Sequence, residues 1–276
     1  MTTKVRVLGS TSGIVPGASF CTALAVQSGG DCFLLDAGAP VATLLPQAGV
    51  DLRTLRAVLL THWHADHSAG LPLLLQRLWL HNSIDAMRDG LAPVIAPLYG
   101  PPTTARRLDL LRSFHYLTFE GNMRADNFPL PAHDVLPGAR LVVAPGIEAT
   151  PYLTTHWSAP AAEALRVHNF GVPPVGYGFV VDVHGTRIAY SGDAGSVDDC
   201  APHLHDVSLL VHELGHFTGD QVGRVAAATK VPRLLLTHLS LRYHGAEGAA
   251  LATQEVRESG YTGEVIVAHD GLEVAV

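Results

Sequence analysis

Through its first third the chain alternates short apolar runs with breaks rich in glycine, proline and serine, the pattern of β-strands separated by turns. Residues 4–8 form the first run, and a Gly/Pro/Ser-rich loop follows over 10–19. Two further runs, 23–27 and 32–35, flank Gly29-Gly30, which predicts a hairpin. Helix-compatible spacing follows at 41–48 and around 52–56, and residues 57–60 are apolar throughout, as in a strand buried on both faces. That strand delivers the chain into Thr61-His62-Trp63-His64-Ala65-Asp66-His67. The spacing predicts helices over 68–80, with Pro72 near its start, over 105–116, opened by Thr103 or Thr104, and over 160–166. Strands are expected at 140–144, 148–154, 178–183, 186–190, 207–211, 233–236 and 264–267. Residues 81–135 are the least regular part and read as an insertion that walls a pocket.

Val58-Leu59-Leu60-Thr61-His62 recurs as Leu234-Leu235-Leu236-Thr237-His238. Two buried strands thus release a histidine at their carboxyl edge, where α/β folds build their sites. A length of 276 residues suits one α/β domain over 1–276, with the insertion at about 81–135.

Composition narrows the function. Hydrophobic residues make up 47% of the chain, enough for a substantial core, while apolar stretches such as 91–99 are too short and proline-broken to span a bilayer. No membrane partner is expected, and the amino terminus lacks a long apolar leader, so the cytoplasm is the expected location. Three cysteines without CxxC spacing argue against a disulfide framework or a thiolate metal knuckle. A net charge of −7, with Lys4 and Lys230 the only lysines, leaves no evident basic face, so a nucleic-acid polymer is not expected as a partner. An apolar-rich chain of this kind can also pair as a homodimer. Sixteen histidines change the picture, because imidazole is the commonest metal ligand.

His62, His64, Asp66 and His67 place four metal-binding groups within six residues after an apolar strand. Alternate residues of an extended segment point the same way, so His62 and His64 can grip one ion, while Asp66 and His67, on the turn that follows, can face a second. Without an ion these groups would be crowded together uncompensated. Mixed imidazole and carboxylate ligands suit zinc first, with manganese or iron(II) also compatible.

This tract resembles the HxHxDH signature of the metallo-β-lactamase superfamily, and Leu34-Leu35-Asp36-Ala37-Gly38, Ser191-Gly192-Asp193 and His238 resemble later marks of that superfamily in the same order. The resemblance implies a four-layer αββα sandwich, here with a helical insertion, and two divalent metal ions. It implies His62, His64 and a third histidine on one ion, Asp66, His67 and His238 on the other, and Asp193 between them. His156, which follows the expected strand at 148–154, is favoured as the third histidine over His168, which would then line the substrate pocket. Leu210-Val211-His212-Glu213-Leu214-Gly215-His216 resembles the ribonuclease Z branch, which implies that Glu213 orients His216 as general acid. That branch carries a long RNA-gripping arm, whereas only 36 residues lie between His156 and Asp193 here.

The expected activity is therefore metal-dependent hydrolysis of a small ester by hydroxide formed between the two metals, with Asp66 orienting it. A phosphodiester is the first expectation and a lactone, thioester or other carboxyl ester the alternative. A di-iron oxidoreductase and a non-catalytic metal-stabilised module are weaker readings. Trp79, Tyr99, Tyr116 and Phe128 are expected to wall an apolar pocket, with Arg106, Arg107 or Arg124 receiving an anionic group. His81, His115, His184, His203 and His205 read as ordinary polar contacts.

Overall fold

The computed structural model describes residues 2–115, 117 and 129–276. The chain opens with β1 (Lys4–Gly9), the hairpin of β2 (Ala23–Ser28) and β3 (Asp31–Leu35), α1 (Val41–Gln47), β4 (Leu55–Leu59), the single turn α2 (Ala65–Ser68) and α3 (Leu71–Leu80). Next come α4 (Ala86–Asp89), β5 (Leu98–Gly100), α5 (Thr104–Phe114), β6 (Ala132–Asp134), β7 (Leu141–Ala144), β8 (Ile147–Thr154), α6 (Ala159–Leu165), β9 (Gly176–Val183) and β10 (Thr186–Tyr190). β11 (Leu209–Leu214), α7 (Gly219–Thr229), β12 (Arg233–Leu239), α8 (Gly245–Glu258), β13 (Glu264–Val267) and β14 (Glu273–Ala275) complete it.

Strands that are apolar at successive positions must be covered on both faces, and the fold meets this demand with two sheets. One runs β14-β1-β2-β3-β4-β5-β6 and the other β13-β12-β11-β10-β9-β8-β7. In each, a parallel half continues into an antiparallel half: β3 to β6 are parallel neighbours, as are β10 to β13. Side-chain alternation sorts each strand between two layers. Phe33, Leu35, Ala57 and Leu59 meet Phe179, Val181, Val211 and Leu235 between the sheets. Leu34, Val58 and Leu60 face the opposite way, onto α1 and α3 through Leu45, Leu71 and Leu75. Leu210, Leu234 and Leu236 are covered by Val222, Ala226, Ala252 and Val256 of α7 and α8. The layers are α, β, β, α, as the resemblance implied.

Several elements depart from the sequence reading. Only Leu52–Thr54 turn helically, as a 3₁₀ turn capped by Asp51, and Leu55 already belongs to β4. The helix expected over 68–80 breaks at Gly70, whose amide donates to Ala37 O instead of continuing the coil. The span 81–135 is not purely an insertion, since β5 and β6 extend the first sheet. These strands have three residues each and lie beside Pro97, Pro101 and Pro131, too short for an alternating pattern to register. β14 and α8 were also unforeseen; α8 is rich in alanine and glycine and owes its place to packing against α7. β11 continues past 211 to Leu214, which brings His212 and Glu213 into the sheet. The aromatic residues expected at Tyr116 and Phe128, and Arg124, lie outside the described residues. Among the described residues, no helix is long and apolar enough to cross a membrane.

Leu59 is fully buried between the sheets and Leu73 on α3 is 50% exposed. Leu59→Ala is expected to cost about 2–5 kcal/mol, and Leu73→Ala no more than about 0.5 kcal/mol, read from urea unfolding midpoints. Equal shifts would contradict this layering.

Candidate metal centre

The site is assembled at the carboxyl ends of the central strands of both sheets. β4 releases His62 and His64 in extended conformation, and α2 carries Asp66 and His67 on its first turn. β8 ends just before His156, β10 just before Asp193, and β12 contains His238 near its end. His238 and Asp36, neither a glycine, hold positive φ values of 51° and 60°. Such strain persists where surrounding contacts over-determine it, as around functional sites. Gly192 has φ +55°, and an added Cβ there would approach Tyr177 O to 2.3 Å, so the turn that presents Asp193 requires glycine.

Three sets of donors converge. His62, His64, His156 and Asp193 form one, Asp66, His67 and His238 a second, and Asp193, Glu213, His216 and His238 a third, with ligand atoms in each set within 4.8 Å of one another. In the first, His62 Nε2 lies 2.9 Å and His156 Nε2 3.3 Å from His64 Nδ1. Asp193 reaches both sides: its Oδ2 is 3.6 Å from His62 Nε2, and its Oδ1 is 3.2 Å from His67 Nε2 and 3.3 Å from His238 Nε2. Asp66 Oδ2 is 3.3 Å from His238 Nε2 and 3.7 Å from His67 Nε2.

The supporting contacts fix which nitrogen each ring presents. Asp36, fully buried, accepts hydrogen bonds from Thr61 N and Thr61 Oγ1, from His67 Nδ1 at 2.8 Å and from Tyr190 Oη at 2.8 Å. His67 Nδ1 therefore carries a proton, and Nε2 is the ring atom turned toward Asp193 and Asp66. Thr61 gives its own proton to Asp36, so it accepts from His62 Nδ1 at 3.0 Å and leaves His62 Nε2 free to ligate. Asp36 was marked in the sequence only by its strand-end Asp-Ala-Gly, with no role assigned; its position at the end of β3 is the signal that could have found it.

Electrostatics divide the cluster. Burial holds His62 and His64 below the ordinary histidine range, and pushes His156 down to about 4, so all three are neutral rings ready to ligate. Burial alone would also lower His67 and His238, but it is outweighed by Asp193 and Asp36 at His67, which rises, and by Asp193, Asp66 and Glu213 at His238, which rises to about 9. Burial works against ionisation of Asp66 and Asp193 too, yet these neighbouring histidines hold both carboxyls below their usual range.

A divalent cation fits this arrangement on a direct observation. His67 Nε2 and Asp193 Oδ1 are both buried and, although 3.2 Å apart, are not aligned as a hydrogen bond, which is costly for polar atoms unless an ion is shared between them. The mixed imidazole and carboxylate donors suit zinc, manganese or iron(II).

Beside this cluster, Glu213 is buried and accepts from His216 Nδ1 at 2.8 Å, from His216 N and from Ala194 N. The contact with Glu213 raises His216 above the ordinary histidine range, and His216 stands half-exposed on the cleft. His212, by contrast, is buried with its Nδ1 turned to Glu213 O and belongs to the sheet. His168 is exposed and stands outside all three donor sets, lining a neighbouring pocket with Trp63, Trp157 and Arg107. Neither Trp79 nor Tyr99 lines that pocket; Tyr99 stacks on His133 with ring centroids 5.3 Å apart. The pocket's indoles come instead from the loops after β4 and β8, which only the tertiary fold brings together.

Comparisons with known proteins place the fold. Residues 32–239 match the family model described as a beta-lactamase superfamily domain. The chain is similar to ribonuclease Z of Methanothermobacter thermautotrophicus, 23% identical over 92% of each chain. Among solved structures, it resembles the metallo-beta-lactamase fold protein YhfI from Bacillus subtilis, with a TM-score of 0.76 and 22% identity over 100% of both chains. It also resembles a diphosphatase from the PhnP family, with a TM-score of 0.68 and 19% identity over 100% of this chain and 98% of that one.

These relatives correct one expectation. A nucleic-acid polymer was excluded on net charge and on the short span between His156 and Asp193, yet relatives matching nearly the whole chain are named ribonucleases. Net charge sums over the entire surface, including carboxylates that face imidazoles inside this site, whereas phosphate binding is decided locally.

Asp36→Ala would strand His67, Tyr190 and Thr61 without their buried acceptor. A loss of about 3–5 kcal/mol is expected in urea unfolding, and an unchanged midpoint would show that Asp36 does not organise the centre.

Proposed function

The chain belongs to the beta-lactamase superfamily, and from that premise we propose that this hydrolase is a metal-dependent phosphodiesterase with a dinuclear centre. The observation that carries the reading is the reach of Asp193, whose Oδ2 lies 3.6 Å from His62 Nε2 and whose Oδ1 lies 3.2 Å from His67 Nε2 and 3.3 Å from His238 Nε2, with the Glu213–His216 pair alongside. His62, His64 and His156 would hold one cation, Asp66, His67 and His238 the other, and Asp193 both. Zinc is the first choice for this donor set. Two such cations supply activation of water and Lewis acidity toward a phosphoryl oxygen.

The chain's own residues do the rest. Asp36 and Thr61 keep the His67 and His62 rings in the tautomer that ligates. Asp66, on the cleft, can also accept a hydrogen bond from the attacking water and orient it. Glu213 anchors His216 through Nδ1, which leaves His216 Nε2 to deliver a proton to the departing oxygen. A general acid matters most for a leaving alkoxide, which is a poor leaving group unless protonated, and this favours alkyl phosphodiesters, those of nucleotides and RNA included.

Hydrolysis of bis(p-nitrophenyl) phosphate by protein loaded in turn with zinc, manganese and iron(II) tests the reading, with Asp66→Ala as background. Turnover should require metal, and His64→Ala should lose both bound metal and activity. Absence of turnover above that background in protein holding two ions would redirect the assignment to lactones or thioesters. His216→Ala should lower kcat by about 10²–10⁴ on an alkyl leaving group and far less on p-nitrophenolate, which departs without a proton; equal losses on both would remove His216 from that role.

A further inference from the structure

Two cavities meet at His64. The larger, about 450 Å³, is the cleft lined by Asp66, Asp193, His216 and His238. The smaller, about 160 Å³, lies on the other side of His64, walled by Trp63, Trp157, Pro101, Arg107 and His168. The metal chemistry described above makes no use of it.

Its most telling occupant of the wall is Arg107. Arg53, Arg88, Arg140 and Arg233 sit on carboxylates, whereas Arg77 and Arg257 donate to backbone carbonyls. Arg107 makes no ion pair with any described carboxylate, although it is half-buried. Its Nε donates to Thr103 Oγ1 at 3.3 Å and its Nη2 to Asn169 Oδ1 at 2.7 Å, and among the described residues Nη1 has no partner. The buried Asn169 is itself held by Thr103 Oγ1 and Val172 O, so the guanidinium is fixed from behind. It lies 5.6 Å from the Trp63 ring centroid. The Trp63 indole is pinned by its Nε1, which donates to Thr104 Oγ1, and Trp157 packs edge-on against His64 with centroids 5.3 Å apart. Rigid aromatic walls and a guanidinium held by Thr103 and Asn169, with Nη1 left over among the described residues, select a flat ligand that carries acceptor atoms on its edge.

We propose that this cavity holds the nucleobase of a nucleotide whose phosphodiester is cleaved at the metal centre, an inference that rests on the phosphodiesterase reading. A cavity of about 150 Å³ is known to admit a single benzene-sized ring, so the space suits one base and excludes a base pair. Every base offers a π-face to indole and carbonyl or ring-nitrogen acceptors to a guanidinium. A plain aryl group would offer Arg107 Nη1 no acceptor, and an aliphatic chain would forgo the indoles.

The arrangement also sets the direction of cleavage. His216 lines the opposite cleft, so the departing oxygen lies on that side. The oxygen of water bonds to phosphorus, the bond from phosphorus to the departing oxygen breaks, that oxygen takes the proton of His216, and the proton given up by the water restores His216 through solvent. The fragment whose base sits between Trp63 and Trp157 therefore keeps the phosphate and is released as a nucleoside monophosphate.

The first measurement is indole fluorescence of the zinc-loaded protein titrated with 5′-AMP, 3′-AMP and ribose 5-phosphate. At least one AMP isomer should quench emission and bind about 10- to 100-fold more tightly than ribose 5-phosphate; equal affinities for all three would overturn the proposal. Arg107→Leu, with metal content checked, should weaken AMP binding about 10-fold, and undiminished binding would remove Arg107 from the site. Should that variant fail to fold, the wild-type titration still decides. The second measurement compares kcat/KM for thymidine 5′-(p-nitrophenyl phosphate) with that for methyl p-nitrophenyl phosphate. A preference of about 10-fold or more for the nucleoside ester is expected. Equal turnover of the two overturns the base cavity alone, whereas no metal-dependent turnover of either overturns the phosphodiesterase reading itself.

Discussion

The buried carboxylate of Asp36 is the contact on which the centre depends. It stands at the end of β3, takes hydrogen bonds from Thr61 after β4 and from Tyr190 at the end of β10, and so ties the two sheets together at their carboxyl edge. Through His67 Nδ1 directly, and through Thr61 to His62 Nδ1, it orients a ring in two of the three donor sets. A single acidic side chain thereby serves both the sandwich and the chemistry built on it. Its positive φ is the local strain that this arrangement tolerates.

Around that anchor the site is organised by charge opposed to burial. Three rings on one side are neutral because desolvation dominates, and two on the other are drawn toward protonation by Asp193 and its neighbours. A cation replaces those protons and relieves the same carboxylates, so metal affinity and proton release are linked. Glu213 extends the logic outward: buried in β11, it uses both oxygens to hold His216 and the loop at Ala194, and leaves the ring of His216 at the solvent edge. The departure of its strand from the expected end at 211 has a functional consequence, since the extra residues carry Glu213 to the centre.

The two cavities on either side of His64 give the centre a direction. One is rich in groups that ligate or move protons, and the other is smaller, aromatic and bordered by the Arg107 guanidinium. The asymmetry comes from the loops after β4 and β8 and from α5, elements that belong to opposite sheets. Whole-chain charge misled the reading of partners because recognition is decided by the groups at a site, whatever the sum over the surface.

What short-range pattern governs was legible along the chain. Continuous apolar runs marked the doubly covered strands, Gly29-Gly30 marked the hairpin, and the ligand-bearing tract from His62 to His67 was legible because its groups are adjacent in the chain. Asp193, His238 and His156 could be named from strand ends and from resemblance, but their convergence with that tract spans nearly 180 residues and only the packing of the two sheets brings it about. The tertiary structure alone decided the rest. It recruited three-residue strands from an apparent insertion, gave Asp36 its four donors, left His168 outside the donor sets, and built the aromatic cavity from Trp63 and Trp157 in place of the aromatic residues near the insertion. Periodicity records which face of an element is buried; it carries no information about which elements a fold sets opposite one another, and hydrogen-bonded sites are made by that second choice.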